Sequence, residues 1–187
     1  MPTDPVFIHA DESCLGNQFQ DRESPGGAAG LVEVWKDGVW QRRDFWISEP
    51  ATTNNRMALR SAIEPLRALK RPCRVHFVSD SQYLVKGIRE WLPSWKRRGW
   101  RRKSGPIENL DLWQELDGEL LRHEVQTEWV RGHAGHPRNE YANDLAVRAA
   151  KERTRSGGLV PSGFESWLEE EREKGRYLDF HEFLPPT

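Results

Sequence analysis

The sequence predicts an α/β fold: one mixed sheet flanked by helices, with a short C-terminal extension. Three observations carry that prediction. The first 50 residues hold three apolar or alternating runs parted by glycine-containing turns, the pattern of an antiparallel meander. The remainder alternates such runs with segments whose apolar residues recur at helical spacing, which makes the later strands parallel and puts helices on the sheet faces. Finally, 187 residues suffice for one domain with an appendage and a core that needs no staples.

In chain order, Val6-Phe7-Ile8 opens a buried strand that ends in two adjacent acids, Asp11 and Glu12, and leaves through Gly16-Asn17. An acid at the end of a core strand must be paired, hydrogen-bonded or bound to a metal, because an isolated buried charge is too costly. "AGLVEVW" (29–35) and "VWQRRDFWIS" (39–48) flank Lys36-Asp37-Gly38 and read as a hairpin with an Asp-Gly turn. Thr52-Thr53 offers a helix cap, after which Leu59, Ala62, Ile63, Leu66 and Leu69 keep helical spacing until Pro72. "CRVHFVS" (73–79) is a strand ending at Asp80; a helix built on Leu110, Trp113, Leu116 and Leu120 leads into a fifth strand, "VQTEWV" (125–130). The Gly-rich loop "RGHAGHP" then opens a helix at Pro137. The expected order is β-β-β-α-β-α-β-α, in which Asp11 and Asp80 share the carboxyl end of the sheet, where such folds place their sites. Beyond residue 155, "SGGLVPSG" reads as a linker and "FESWLEEEREKGRYLDFHEF" as a short acidic helix docked through Phe164, Trp167 and Leu168. The expected division is therefore a domain over 1–152 and a linker with C-terminal extension over 153–187.

Composition removes several classes. Cys14 and Cys73 are the only cysteines and show no metal-type spacing, which suits free thiols in a reducing compartment, so a cytoplasmic protein is expected. No run approaches the roughly 20 apolar residues of a membrane span, and "MPTDPVFIHA" lacks the marks of a signal peptide. A soluble monomer is expected. The net charge of −1 hides a local asymmetry: "WLPSWKRRGWRRK" (91–103) carries Lys96, Arg97, Arg98, Arg101, Arg102 and Lys103 with three tryptophans and no acid. A charge run by itself is a solvated face, but cations interleaved with indoles suit phosphate neutralisation and stacking without sequence readout.

Five blocks, "TTNNRM" (52–57), "SDSQY" (79–83), "WKRRGW" (95–100), "ENLDLW" (108–113) and "GHAGHPRNEYANDLA" (132–146), together resemble type 1 ribonuclease H over about residues 6 to 150. The resemblance implies a ribonuclease H-like fold with a five-stranded mixed sheet. It also implies cleavage of the RNA strand of RNA–DNA hybrids at carboxylates that hold two Mg²⁺ or Mn²⁺ ions. Carried over residue by residue, the family's first acid falls on Asp11 and its third on Asp80, whereas its helix-borne Glu falls on Ala58 and its last Asp on Asn143. Glu64, roughly 240° around the helix from Ala58, cannot stand in. Glu12 can, since type 2 ribonucleases H place Glu directly after the first Asp. Successive strand side chains point to opposite faces, so the strand is expected to twist or bulge there.

The expected catalytic and metal-binding set is thus Asp11, Glu12, Asp80 and Asn143, the last through a neutral amide oxygen. Asp144, rotated about 100° along the helix, is expected to face solvent. The loop histidine His133 is expected to assist proton transfer or product departure, and His136 to start the following helix with Pro137. By the same resemblance, Tyr83 and Trp91 form an aromatic channel for the DNA strand, and Thr53 with Asn109 a pocket for one DNA phosphate. Lys96, Arg97, Arg98, Trp100 and Arg101 form a basic protrusion, while Asn17, Asn54, Asn55 and Gln82 face the wide minor groove. The insertion "QFQDRES" (18–24) is given no role. Two readings stay open at this point. Glu12 and His133 favour an active endonuclease, whereas Ala58 favours a catalytically impaired module that binds hybrids.

Overall fold

The computed structural model describes residues 4–16, 23–132 and 135–182. The opening meander is β1 (Val6–Cys14), β2 (Ser24–Lys36) and β3 (Val39–Thr52). At its hairpin turn Asp37 and Gly38 both adopt positive φ, 52° and 79°, the turn whose twist matches that of the strands it joins. Helix α1 (Asn54–Ala68) starts where Thr53 accepts a hydrogen bond from the Arg56 N–H, satisfying one of the free first-turn donors. Strands β4 (Arg74–Ser79) and β5 (Glu124–Trp129) follow, with α4 (Leu110–Arg122) between them and α5 (Pro137–Glu152) after them. The sheet order is β5-β4-β1-β2-β3-β6, the last being the short strand β6 (Val160–Pro161), with β1, β2 and β3 antiparallel and β1, β4 and β5 parallel.

One face of the sheet carries the main core, in which Ile8, Ala10 and Phe77 pack against Ala58, Leu59, Trp113 and Leu116 of α1 and α4. The other face is covered by α5, and this contact is close. A Cβ added to Gly27 would stand 2.1 Å from the Ala146 carbonyl oxygen, so only glycine lets the helix backbone lie on β2 at that point.

Two features differ from the expected order. A helical run fills residues 82–97: α2 (Gln82–Lys86), a π-turn (Gly87–Trp91) and α3 (Leu92–Arg97). Gly87 and Pro93 interrupt its apolar periodicity; in the fold, a Cβ at Gly87 would meet the Trp113 ring at 2.1 Å, so that glycine is the seat of an indole. The second is a sixth strand. Within the stretch read as a linker, β6 (Val160–Pro161) pairs with Asp44 and Arg43 of β3, covering part of what would otherwise be a bare edge. Helix α6 (Phe164–Glu173) then docks on α5, with Phe164 and Leu168 buried beside Leu31, Tyr141 and Leu145. Among the described residues, no helix is long and apolar enough to cross a membrane.

Candidate metal centre and nucleic-acid face

The pairing of β1 explains how its two acids meet. Its contact with β4 runs only from Val6 to His9, so beyond His9 that edge is open and Asp80, just past the end of β4, faces it. Alternation puts Ala10, Glu12 and Cys14 on the α1 side, where Ala10 clusters with Ala58 and Cys14 with Met57. Asp11 and His9 lie on the α5 side, where the His9 ring stacks on His136 at 5.6 Å. The β1–β2 register is unbroken from Val6 to Cys14, so of the expected twist or bulge the bulge is absent. Both side chains instead lean over the open edge from opposite faces, and carboxylate oxygens of Asp11, Glu12 and Asp80 lie within 4.8 Å of one another.

Such crowding strains the ionised state. Burial, then Glu12 and Asp80, push the Asp11 carboxyl up to about 9, although Asp11 Oδ1 accepts the Glu12 N–H at 2.8 Å. Burial, then Asp80, push the Glu12 carboxyl up to about 8. Glu12 Oε2 is buried without a hydrogen-bond partner. An orphaned carboxylate oxygen facing two more hard oxygen donors fits a divalent cation of the Mg²⁺ or Mn²⁺ type, which would remove the repulsion that raises these values.

The neighbours of the cluster keep it in place. The Trp129 indole N–H donates to the Asp80 carbonyl at 2.9 Å. Gly132 lies so close to Asp80 that a Cβ would stand 2.7 Å from its Oδ2. Ala58 is buried at 1% exposure in the main core, and Glu64 is occupied by ion pairs to Arg60 at 3.2 Å and Arg67 at 3.8 Å.

Asn143 is half-buried on α5. That helix runs along β1: His136 at its start stacks on His9, and Ala146 lies over Gly27, the partner of Ser13. Ten helical residues advance about 15 Å and four strand residues about 13 Å, so Asn143, about 10 Å past His136, falls level with Glu12, about 10 Å past His9. Asp144 is exposed and accepts the Trp167 indole N–H at 2.9 Å. Asn17 and His133 lie outside the described residues.

The expected nucleic-acid contacts gather around the amino ends of α1, α2 and α4. The Asn109 amide and the Trp113 indole donate to the Tyr83 hydroxyl at 3.1 and 3.0 Å, and Trp91 packs edge-on to Tyr83 at 5.6 Å. Tyr83, Trp91, Trp95, Asn55, Arg102 and Glu108 line one groove. Thr53 and Asn109 are joined by Arg56, whose N–H reaches Thr53 Oγ1 and whose guanidinium reaches Asn109 Oδ1, each at 3.3 Å. Arg56 also forms a bidentate pair with Asp111. It belongs to the "TTNNRM" run, yet neither spacing nor charge clustering singles it out. Asn54, Asn55 and Gln82 are exposed, as are Arg97, Arg98 and Arg101. The protrusion is less open than its sequence suggests: Trp100 is half-buried against the main core, and Lys96 pairs with Asp117 at 2.8 Å.

A mixed sheet with three carboxylates at the carboxyl ends of adjacent strands, beside an aromatic groove and exposed arginines, defines a metal-dependent enzyme acting on nucleic acid. Comparison with known proteins makes the class specific. A family model for RNase H matches residues 3–151, and the chain belongs to the ribonuclease H family. It is 51% identical over 149 residues to ribonuclease H of Stutzerimonas stutzeri, covering 79% of this chain and 93% of that one. Against ribonuclease HI of Pseudomonas aeruginosa it is 47% identical with similar coverage. Among solved structures it is similar to LC9-RNase H1, described as a type 1 RNase H with the type 2 active-site motif. The match has 56% identity and a TM-score of 0.84, covering 90% of this chain and 82% of that one. The prototype foamy virus RNase H domain, at 18% identity and a TM-score of 0.64, shares the fold.

Proposed function

We propose that this protein is an endonuclease that hydrolyses the RNA strand of RNA–DNA hybrids, with Asp11, Glu12, Asp80 and Asn143 holding two Mg²⁺ or Mn²⁺ ions. The observation that carries the reading is the convergence of Glu12 with Asp11 and Asp80, which supplies from the strand the acid that Ala58 cannot supply from the helix. When bound, the ions activate the attacking water and stabilise the leaving oxygen. The chain's own residues fix the geometry. Asp11 sits on the central strand, Asp80 is held through its carbonyl by Trp129, and Glu12 offers an otherwise unpartnered oxygen. Three carboxylates leave one positive charge of two divalent ions unmatched, and the scissile phosphate balances it. His133 serves proton transfer or product departure from the loop before α5.

Hybrid binding falls to the groove around Tyr83 and Trp91, the Thr53–Arg56–Asn109 corner, and Arg97, Arg98 and Arg101. These contact phosphates and sugars rather than base edges, so binding is independent of sequence. Asn17, Asn54, Asn55 and Gln82 read the RNA 2′-hydroxyls.

The decisive test is cleavage of an end-labelled RNA–DNA hybrid with Mg²⁺ or Mn²⁺. Internal cuts in the RNA strand, with single-stranded RNA and duplex DNA left intact, are expected. Tight hybrid binding without cleavage in either metal would favour the impaired binding module instead.

A further inference from the structure

The C-terminal extension does more than cover a sheet edge. Glu33 of β2 is 1% exposed and pairs with two buried arginines, Arg42 at 2.8 Å and Arg138 at 2.6 Å. One carboxylate between two guanidiniums leaves a buried positive charge, and an unmatched buried charge is strongly destabilising. The extension supplies the missing acids. Glu165 pairs with Arg42 at 2.7 Å, and Glu182 bonds both Arg42 and Arg138. Phe180 adds its ring face to Arg138 at 5.6 Å and meets the His136 ring at a steep angle, centroids 6.4 Å apart. His136 is the N-cap of α5 and its side chain makes no capping bond, so the imidazole is free to pack between the rings of His9 and Phe180. Arg138 lies in the first turn of the same helix, and Asn143 follows less than two turns later.

We propose that residues 164–182 are a positioning strap for the metal centre. Phe180 and Glu182 hold the first turn of α5 against β1 and β2, and thereby hold Asn143 level with Glu12. This rests on the reading of Asn143 as a metal ligand. The strap touches neither hybrid nor metal; it acts through Arg138 and His136. Residues 3–151 match the family model, so the strap belongs to the part of the chain outside that match.

The test uses the full chain carrying Phe180→Ala and Glu182→Gln together, both at the accessible end of the strap. Mn²⁺ binding is measured by calorimetry without substrate, in the presence and absence of Asn143→Ala. The double variant is expected to bind Mn²⁺ about tenfold more weakly. Amides of residues 138–143 should exchange hydrogen about tenfold faster, while those of α1 and β1 keep their rates and the Michaelis constant for hybrid stays unchanged. In the Asn143→Ala background the strap changes should cost no further Mn²⁺ affinity. Phe180→Tyr, which keeps the ring, should bind Mn²⁺ as the parent does. Unchanged Mn²⁺ affinity in the double variant, or the same tenfold loss in the Asn143→Ala background, would overturn the proposal; so would exchange that accelerates throughout the molecule. If Asn143→Ala alone leaves Mn²⁺ binding intact, the ligand reading fails and the strap's role falls with it. If Asn143→Ala weakens binding and the strap variant does not, only the strap is refuted.

Discussion

Replacing Glu12 with Gln should make the metal-free protein more stable while abolishing its chemistry. Burial and Asp80 push the Glu12 carboxyl from 4.5 up to about 8. A folded-state value above the unfolded one means that, between those limits, the folded chain keeps a proton the unfolded chain has released. The stability contribution is therefore fully present below about pH 4.5, declines as pH rises, and is lost above about 8. The spacing gives the magnitude: two unit charges no more than 4.8 Å apart repel by at least about 3 kcal/mol at an effective dielectric constant near 20. Gln carries no such cost. In EDTA at pH 8, Glu12→Gln should be about 3 kcal/mol more stable, a rise in Tm of roughly 6–12 °C for a chain this size. Near pH 4, where the acid is already neutral, the two proteins should unfold together. With Mg²⁺ the order reverses in function: kcat should fall at least about 100-fold, with the Michaelis constant for hybrid unchanged. Thermal unfolding across pH, with and without Mg²⁺, and steady-state cleavage test both halves. Equal Tm values at pH 8 would mean that Glu12 is a solvated acid, and wild-type turnover would refute its role as a ligand.

Four further outcomes are expected. Replacing Arg97, Arg98, Arg101 and Arg102 together with Gln should raise the Michaelis constant more than it lowers kcat, and should reduce the slope of log affinity against log salt by up to about 4, about 1 for each phosphate left without its arginine. Asn143→Asp adds a negative charge to the proposed ligand set and should lower the Mg²⁺ concentration for half-maximal cleavage, measured by metal titration. Gly27→Ala drives a methyl into the Ala146 carbonyl, 2.1 Å away; it should cost about 1–3 kcal/mol in denaturant unfolding and lower kcat by displacing α5. Ala58→Glu in a Glu12→Gly background should recover only part of the cleavage rate, because position 58 is packed in the core and a ligand displaced by about 1 Å can cost on the order of 100-fold.

What the sequence revealed and what it hid follow from the range of the interactions. The Asp37-Gly38 hairpin, the Thr53 cap and the stripe on α1 are local, set by turn chemistry and periodicity, and all three were legible. The meeting of Asp11 with Asp80 at the carboxyl end of the sheet follows from the alternation of strands and helices, which the apolar pattern already disclosed. The helical run over residues 82–97 was hidden because Gly87 and Pro93 look like breakers until Trp113, from another helix, is seen filling the space beside Gly87. The sixth strand was hidden because two residues, Val160 and Pro161, carry no periodicity and pair only because the β3 edge is available. Glu182 reaches Arg138 across 44 positions, a partnership no local pattern discloses.

The missing bulge at Asp11–Glu12 is instructive in the same way. Alternation forbids two adjacent strand residues from sharing a metal wherever both edges of the strand are paired. Here β4 stops pairing at His9, so the constraint lapses where the acids begin. Glu12, longer than Asp by one methylene, can pass from the α1 side around the open edge to Asp80, while Asp11 approaches from the α5 side. The helix-borne acid of the family also belongs to the α1 side, where Ala58 now packs with Ala10. The substitution thus delivers an acid from the same side of the sheet, anchored to the central strand rather than to a helix lying on it. A carboxylate fixed to β1 moves with Asp11, so small shifts of α1 leave the spacing between the two unchanged. The proposed fourth ligand gains no such independence, because Asn143 is carried by α5 and its position depends on where that helix rests.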